Sequence, residues 1–130
     1  MDPLPESVHP DLQLVLVACP ARVERNAEFK IEVRLANRTR QALAALPPYP
    51  LRFAYRWLGD RGEREETGGM PAGPVLPVLP PGAEACYTLV VRSPALEGSR
   101  TLRCTLMQED LRWFDEGRDP VQAEIPVQVV

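Results

Sequence analysis

Histidine is almost missing from this chain, which has one, His9, near the proline-rich start of its 130 residues. A Ser-His-Asp or Cys-His arrangement would have nothing else to rest on. The motifs GxSxG and GxGxxG and the phosphate-binding loop are missing too. His9 reads as a solvent-exposed arm residue, and neither a catalytic residue nor a cofactor is expected.

Lysine is as scarce. Lys30 is the only one, and the other fourteen basic residues are arginines scattered among acids to a net charge of −3. That distribution makes no basic face, so neither nucleic acid nor an anionic membrane is expected as a partner.

Cys19, Cys86 and Cys104 make an odd count with no CxxC pair. This excludes a disulfide framework and a zinc site. Cys86 and Cys104 could fall on neighbouring strands, but free buried thiols are the expectation, and they favour a reducing compartment. The start, MDPLPESVHP, has neither the basic region nor the apolar run of a signal peptide. A cytoplasmic location is therefore expected. The longest apolar run, Leu14 to Cys19, is too short to span a bilayer, so no membrane insertion is expected.

Helical periodicity is absent as well. A mixed α/β layout needs helical patterns of about 10 to 15 residues between strands, and RQALAAL, before Pro47, Pro48 and Pro50, is too short to hold a helix alone. Asn37 to Pro50 is read as a long loop. Proline, at 15 residues, suits short strands joined by loops.

What the chain does have is alternation. Glu28 to Ala36 (EFKIEVRLA) sets Phe29, Ile31, Val33 and Leu35 on one face and charged residues on the other, as in a half-buried antiparallel strand. Leu12 to Ala18, Leu51 to Leu58, Ala83 to Ser93 and Gln122 to Val130 read as further strands. Leu51, Phe53, Tyr55 and Trp57 share one face, and Trp57 is expected to fill the core. Gly59 to Gly62 is turn chemistry, followed by a short strand around Glu63 to Thr67. Gly68 to Pro81 can only be loop or edge strand. About seven strands at these spacings predict an all-β, immunoglobulin-like or fibronectin-like antiparallel sandwich. Residues 1–11 are expected to form an extended N-terminal arm and residues 12–130 a single β-sandwich domain.

The stretch Thr101 to Gly117 carries the functional question. Leu102, Cys104, Leu106 and Gln108 fall on one strand face, and the chain then runs into an aromatic and acidic loop. Adjacent aromatics in an extended segment point to opposite sides, so Trp113 and Phe114 cannot both be buried by one sheet face. The alternatives are that both close the end of the core, capping it in a bent loop, or that one of them faces water. Trp113 is the one expected to face water, with Phe114 its neighbour and Glu109, Arg112 and Asp115 close by. An exposed indole beside such groups suits stacking on a sugar ring. The carboxylates from Glu109 to Asp119 match no calcium-loop spacing and are interleaved with Arg112 and Arg118, so no metal is expected.

Tyr55-Arg56-Trp57, the turn Asp60 to Gly62, the LPPG turn Leu79 to Gly82, the turn Pro94 to Gly98 and the LMQE…WF…G stretch Leu106 to Gly117 occur in telling order. Over residues 48–130 the chain resembles a β-sandwich module of bacterial surface-polysaccharide biosynthesis proteins, appended there to glycosyltransferases and methyltransferases. It is similar in architecture to the carbohydrate-binding C-terminal domains of O-antigen ABC transporter ATPases. The resemblance implies a non-catalytic accessory module, a saccharide ligand and a linked or associated glycosyltransferase. The alternative is a protein-interaction or assembly module, including a homodimer, joining a partner's sheet at Pro74 to Pro80 or through the C-terminal strand. A small hydrolase relying on Asp115 or Glu116 is the third and weakest reading.

Overall fold

The computed structural model describes residues 1–59 and 63–130. Among these residues a 3-10 helix, Glu6–Asp11, precedes nine strands: β1 Leu12–Ala18, β2 Arg22–Val23, β3 Glu28–Asn37, β4 Leu51–Leu58, β5 Arg64–Pro74, β6 Glu84–Arg92, β7 Gly98–Gln108, β8 Arg112–Trp113 and β9 Gln122–Val129. Three of them form one sheet in the order β1-β3-β6. The other sheet runs β2-β9-β7-β4-β5, with β8 paired to β7. Every pairing is antiparallel except the two-residue contact of β2 with β9. The molecule is an all-β sandwich, and the seven longer strands match the seven read from the sequence. The Asp60 to Gly62 turn lies outside the described residues.

Alternation places the core. In β3, Ile31, Val33 and Leu35 are buried while Glu28, Lys30, Glu32 and Arg34 are exposed. They meet Phe53, Tyr55 and Trp57 of β4 and Leu102, Cys104 and Leu106 of β7 in one apolar cluster. Each large side chain buried there contributes about 1.5–3 kcal/mol. Aromatic contacts cross between the sheets, Phe53 to Tyr87 at 4.7 Å and Phe29 to Trp57 at 6.2 Å between centroids.

The LPPG turn forms as read. Ala83 N–H donates to Pro80 O at 3.1 Å, and Gly82 has φ of +81°. Pro at the second position and a left-handed third position are what a type II turn requires, and glycine supplies the latter without strain. The stretch after Gly68 does become edge strand: β5 ends its sheet and extends to Pro74, well past the short strand expected. Residues 38–50 form a loop without helix, held by reciprocal backbone bonds between Leu43 and Leu79.

Three expectations change. The N-terminal residues are not an extended arm, because the 3-10 helix folds back and buries Leu4 and His9 to 2% and 1% exposure. The Gln108 side chain draws the segment in: its carbonyl accepts from Leu4 N–H at 2.9 Å, and its amide donates to Asp2 O at 2.8 Å. His9 is thus a core residue, not a solvent-exposed one. Second, the thiols are all free, but only Cys104 is fully buried. Cys86 is exposed on β6, in the other sheet from Cys104, and Cys19 is half-buried. Third, the C-terminal strand β9 is flanked by β7 along its length and on the other side is joined by β2 only at Gln128 and Val129, so the open stretch is confined to residues 122–127 among the described residues.

Candidate functional site

After β7 the chain reverses through Asp110, at φ of +65°, with Leu111 N–H donating to Gln108 O at 3.1 Å. It returns as β8, with Trp113 opposite Met107 and Arg112 opposite Gln108. Phe114 N–H then donates to Leu106 O at 2.8 Å. The segment is extended here, so its neighbouring aromatics diverge. Phe114 points into the core at 0% exposure and stacks on His9, with centroids 4.4 Å apart. Trp113 takes the outer side of the six-stranded sheet and is half-buried.

Trp113 is not a bare platform. The Arg56 guanidinium lies 4.0 Å from its ring centroid, a cation–π contact worth about 1 kcal/mol at a partly exposed site. The edge of the indole lies over Gly69 of β5, where an added Cβ would come within 2.2 Å of the ring. Only glycine lets the ring approach so closely.

Arg56 is itself buried at 7% exposure. Its Nε donates to Asp115 Oδ2 at 2.7 Å, and its Nη2 lies 3.4 Å from Oδ1. The Asp115 side chain has no exposed surface and also meets Arg103 Nη1 at 3.5 Å. Register lines up Gly69, Arg56, Arg103 and Glu124 across four strands, and Arg103 Nε reaches Glu124 Oε2 at 3.3 Å. A carboxylate between two guanidiniums satisfies a buried charge that would otherwise be costly.

The other members of the expected group lie apart. Glu109 pairs with Arg52. Arg112 is exposed, with Glu6 at 4.0 Å. Trp113 and Asp115 therefore share Arg56 on the outer face, Phe114 belongs to the core, and Glu109 and Arg112 have partners of their own. The sequence reading missed Arg56, Arg103 and His9. A signal for the first was available: on β4 the outward positions are Arg52, Ala54, Arg56 and Leu58, and the small and apolar members suit a covered face.

A second feature lies at the free edge of β6. The bonds Asn37 N–H to Ala83 O and Ser93 N–H to Ala27 O, each 2.9 Å, bracket the β3–β6 ladder. Antiparallel alternation then turns the odd-numbered backbone groups toward β3 and those of Glu84, Cys86, Thr88, Val90 and Arg92 toward the open side. Arg92 is capped from the facing sheet, its N–H donating to Tyr55 Oη at 3.1 Å and its carbonyl accepting from Trp57 Nε1–H at 2.8 Å. Val90 is 46% exposed.

Burial sets the titration of several groups. It pushes the Cys104 thiol up to about 12, with Cys19 adding a smaller contribution, and raises Cys19 and Tyr87 too. His9 is held below its ordinary value, by burial first and by Arg112 second, against Glu6 and Asp119. Among the described residues, no group of three or more His, Cys, Asp or Glu could hold a metal ion. No helix among them is long and apolar enough to cross a membrane.

No family model matches the chain, and neither does any curated protein. Solved structures do. The CARDB domain of a Pyrococcus furiosus protein matches with a TM-score of 0.51 at 19% identity, over 92% of this chain and 94% of that one. Part of the alkylpurine DNA glycosylase AlkC of Pseudomonas fluorescens, solved with DNA containing an abasic site analogue, also gives a TM-score of 0.51. Its identity is 8%, over 92% of this chain and 30% of that one. At such identities the likeness carries the sandwich fold and no activity.

Proposed function

We propose that this chain is a non-catalytic accessory module that binds a protein partner by adding a strand to the open edge of β6. One observation carries the reading: the backbone groups of Glu84, Cys86, Thr88 and Val90 face away from β3, with no further strand paired to them among the described residues. Such an edge templates an incoming extended segment, and exposed Val90 offers it an apolar contact. The non-catalytic part is supported by the acids of the aromatic loop, since Asp115 and Glu109 are engaged by arginines. In the setting that the motif resemblance implies, the partner is a glycosyltransferase of bacterial surface-glycan synthesis.

Photo-cross-linking tests the reading. Val90 is replaced by p-benzoylphenylalanine and the chain is irradiated in its own cells. The expected result is one discrete adduct, lost when Thr88→Pro is added. Proline at Thr88 removes an amide that serves no bond to β3, so the fold tolerates it as edge strands do. An adduct of twice the chain's mass assigns the partner to a second copy. No adduct, or one indifferent to Thr88→Pro, overturns the reading.

Saccharide binding at Trp113 is the second reading, favoured by one observation: of the two adjacent aromatics, Trp113 is the one that keeps exposed surface. Titrating tryptophan fluorescence with bacterial surface oligosaccharides, with Trp113→Ala as control, checks it. An absent response, or one that survives the substitution, eliminates it.

A further inference from the structure

His9 occupies the middle of the 3-10 helix and is 1% exposed. Its ring stacks on Phe114 with planes 28° apart. Neither Nδ1 nor Nε2 has a hydrogen-bond partner among the described residues. A neutral imidazole bears this at some cost. An imidazolium would bury a full charge and two N–H donors with nothing to accept them.

The charged groups around the ring do not supply the missing acceptor. Glu6 on the same helix spends one oxygen on Arg118 N–H, at 2.9 Å, and lies 4.0 Å from Arg112. Arg112 of β8 opposes a second positive charge. Asp119, in the loop after β8, favours one, as Glu6 does, but burial outweighs both acids.

The rest of the segment is held at several points: the Met1 ammonium donates to Leu46 O and Pro47 O, Met1 O accepts from Tyr49 N–H at 3.2 Å, and Asp11 O accepts from Arg38 N–H at 2.9 Å. The helix has no side-chain cap at Pro5, and its ties to the sandwich include the two bonds from Gln108 and the burial of Leu4. Water can replace those bonds on release.

We propose that residues 1–11 are a pH-released strap, docked while His9 is neutral and leaving the sandwich end, with Phe114 uncovered, when His9 is protonated. This goes beyond the edge-binding reading and does not depend on it. In the open strap His9 is hydrated and titrates near 6.5, whereas the docked strap excludes the proton. The open form therefore binds more protons, and opening grows as pH falls below about 6.5. If the docked ring takes no proton, the opening equilibrium rises about 30-fold between pH 8 and pH 5.

His9 being the only histidine, its ring gives one set of imidazole signals by NMR. We expect that signal to titrate below 6.5. We also expect exchange of the Leu4, Val8 and Leu12 amides, corrected for intrinsic rate, to speed up about 30-fold from pH 8 to pH 5 relative to β3 amides. In His9→Phe, which keeps the stack on Phe114 without a titrating group, that pH dependence disappears. His9→Leu provides the same comparison should the phenylalanine variant fail to fold. Titration at the ordinary value with the three amides still protected overturns the proposal, and so does equal pH dependence in wild type and variant.

Discussion

Trp57 donates its indole N–H to the carbonyl of Arg92 across the sandwich, at 2.8 Å. The ring fills the core from β4 while its polar end closes one position of the β6 edge. Tyr55 closes the other group of the same residue by accepting from Arg92 N–H. Two core aromatics thus decide where that edge stops being available.

Tyr55→Phe keeps the ring and removes only this acceptor, so it is expected to cost about 1 kcal/mol in urea unfolding. Trp57→Phe also leaves a gap at a position 5% exposed, and about 2–3 kcal/mol is expected. Equal midpoints for wild type and Tyr55→Phe would show that the bond is not formed in solution.

Asp115→Asn removes the charge that Arg56 and Arg103 share. Arg56 keeps Glu116 at 3.4 Å and Arg103 keeps Glu124 at 3.3 Å, both partly exposed carboxylates, so the loss of the buried partner is expected to cost about 2 kcal/mol of stability. Arg56 also lies over Trp113, so the tryptophan emission of the folded variant should shift. An unchanged urea midpoint would contradict the buried pairing.

The thiols should separate by reactivity. With Cys86 exposed and the Cys104 thiol pushed up to about 12 by burial, a disulfide reagent at pH 8 should label Cys86 within minutes and Cys104 only on unfolding. Early labelling of Cys104 would show that the β7 core opens.

Gln108→Leu removes a side chain that serves three backbone groups, Leu4 N–H and the carbonyls of Asp2 and Tyr49. A cost of about 2 kcal/mol is expected, with faster amide exchange at Leu4. Slow exchange at Leu4 in this variant would show that the remaining ties, the Met1 ammonium on Leu46 O and Pro47 O among them, hold the segment without Gln108.

Much of this architecture was legible. Leu12 to Ala18 and Leu51 to Leu58 coincide with β1 and β4, and Leu102, Cys104, Leu106 and Gln108 all face inward as period two required. Gln108 shows the limit of such a pattern: alternation places it in the core but does not reveal that it anchors residues 2 and 4. The N-terminal segment was misread because three prolines suggest extended chain, while its burial depends on Phe114 and Gln108, about a hundred residues away in sequence. The site was half legible. Extended geometry separated Trp113 from Phe114, but nothing local tells that Arg56 of a distant strand covers one aromatic and His9 the other.

Amide exchange along β6 tests the edge most directly. In the isolated chain, Tyr87 and Leu89 bond to β3 and should exchange slowly, while Cys86, Thr88 and Val90 should exchange quickly. Once the partner captured by cross-linking at position 90 is added, Thr88 and Val90 should become as protected as Leu89. Uniform protection along β6 in the isolated chain would contradict an open edge. Thr88 and Val90 remaining fast with the partner bound would contradict strand addition.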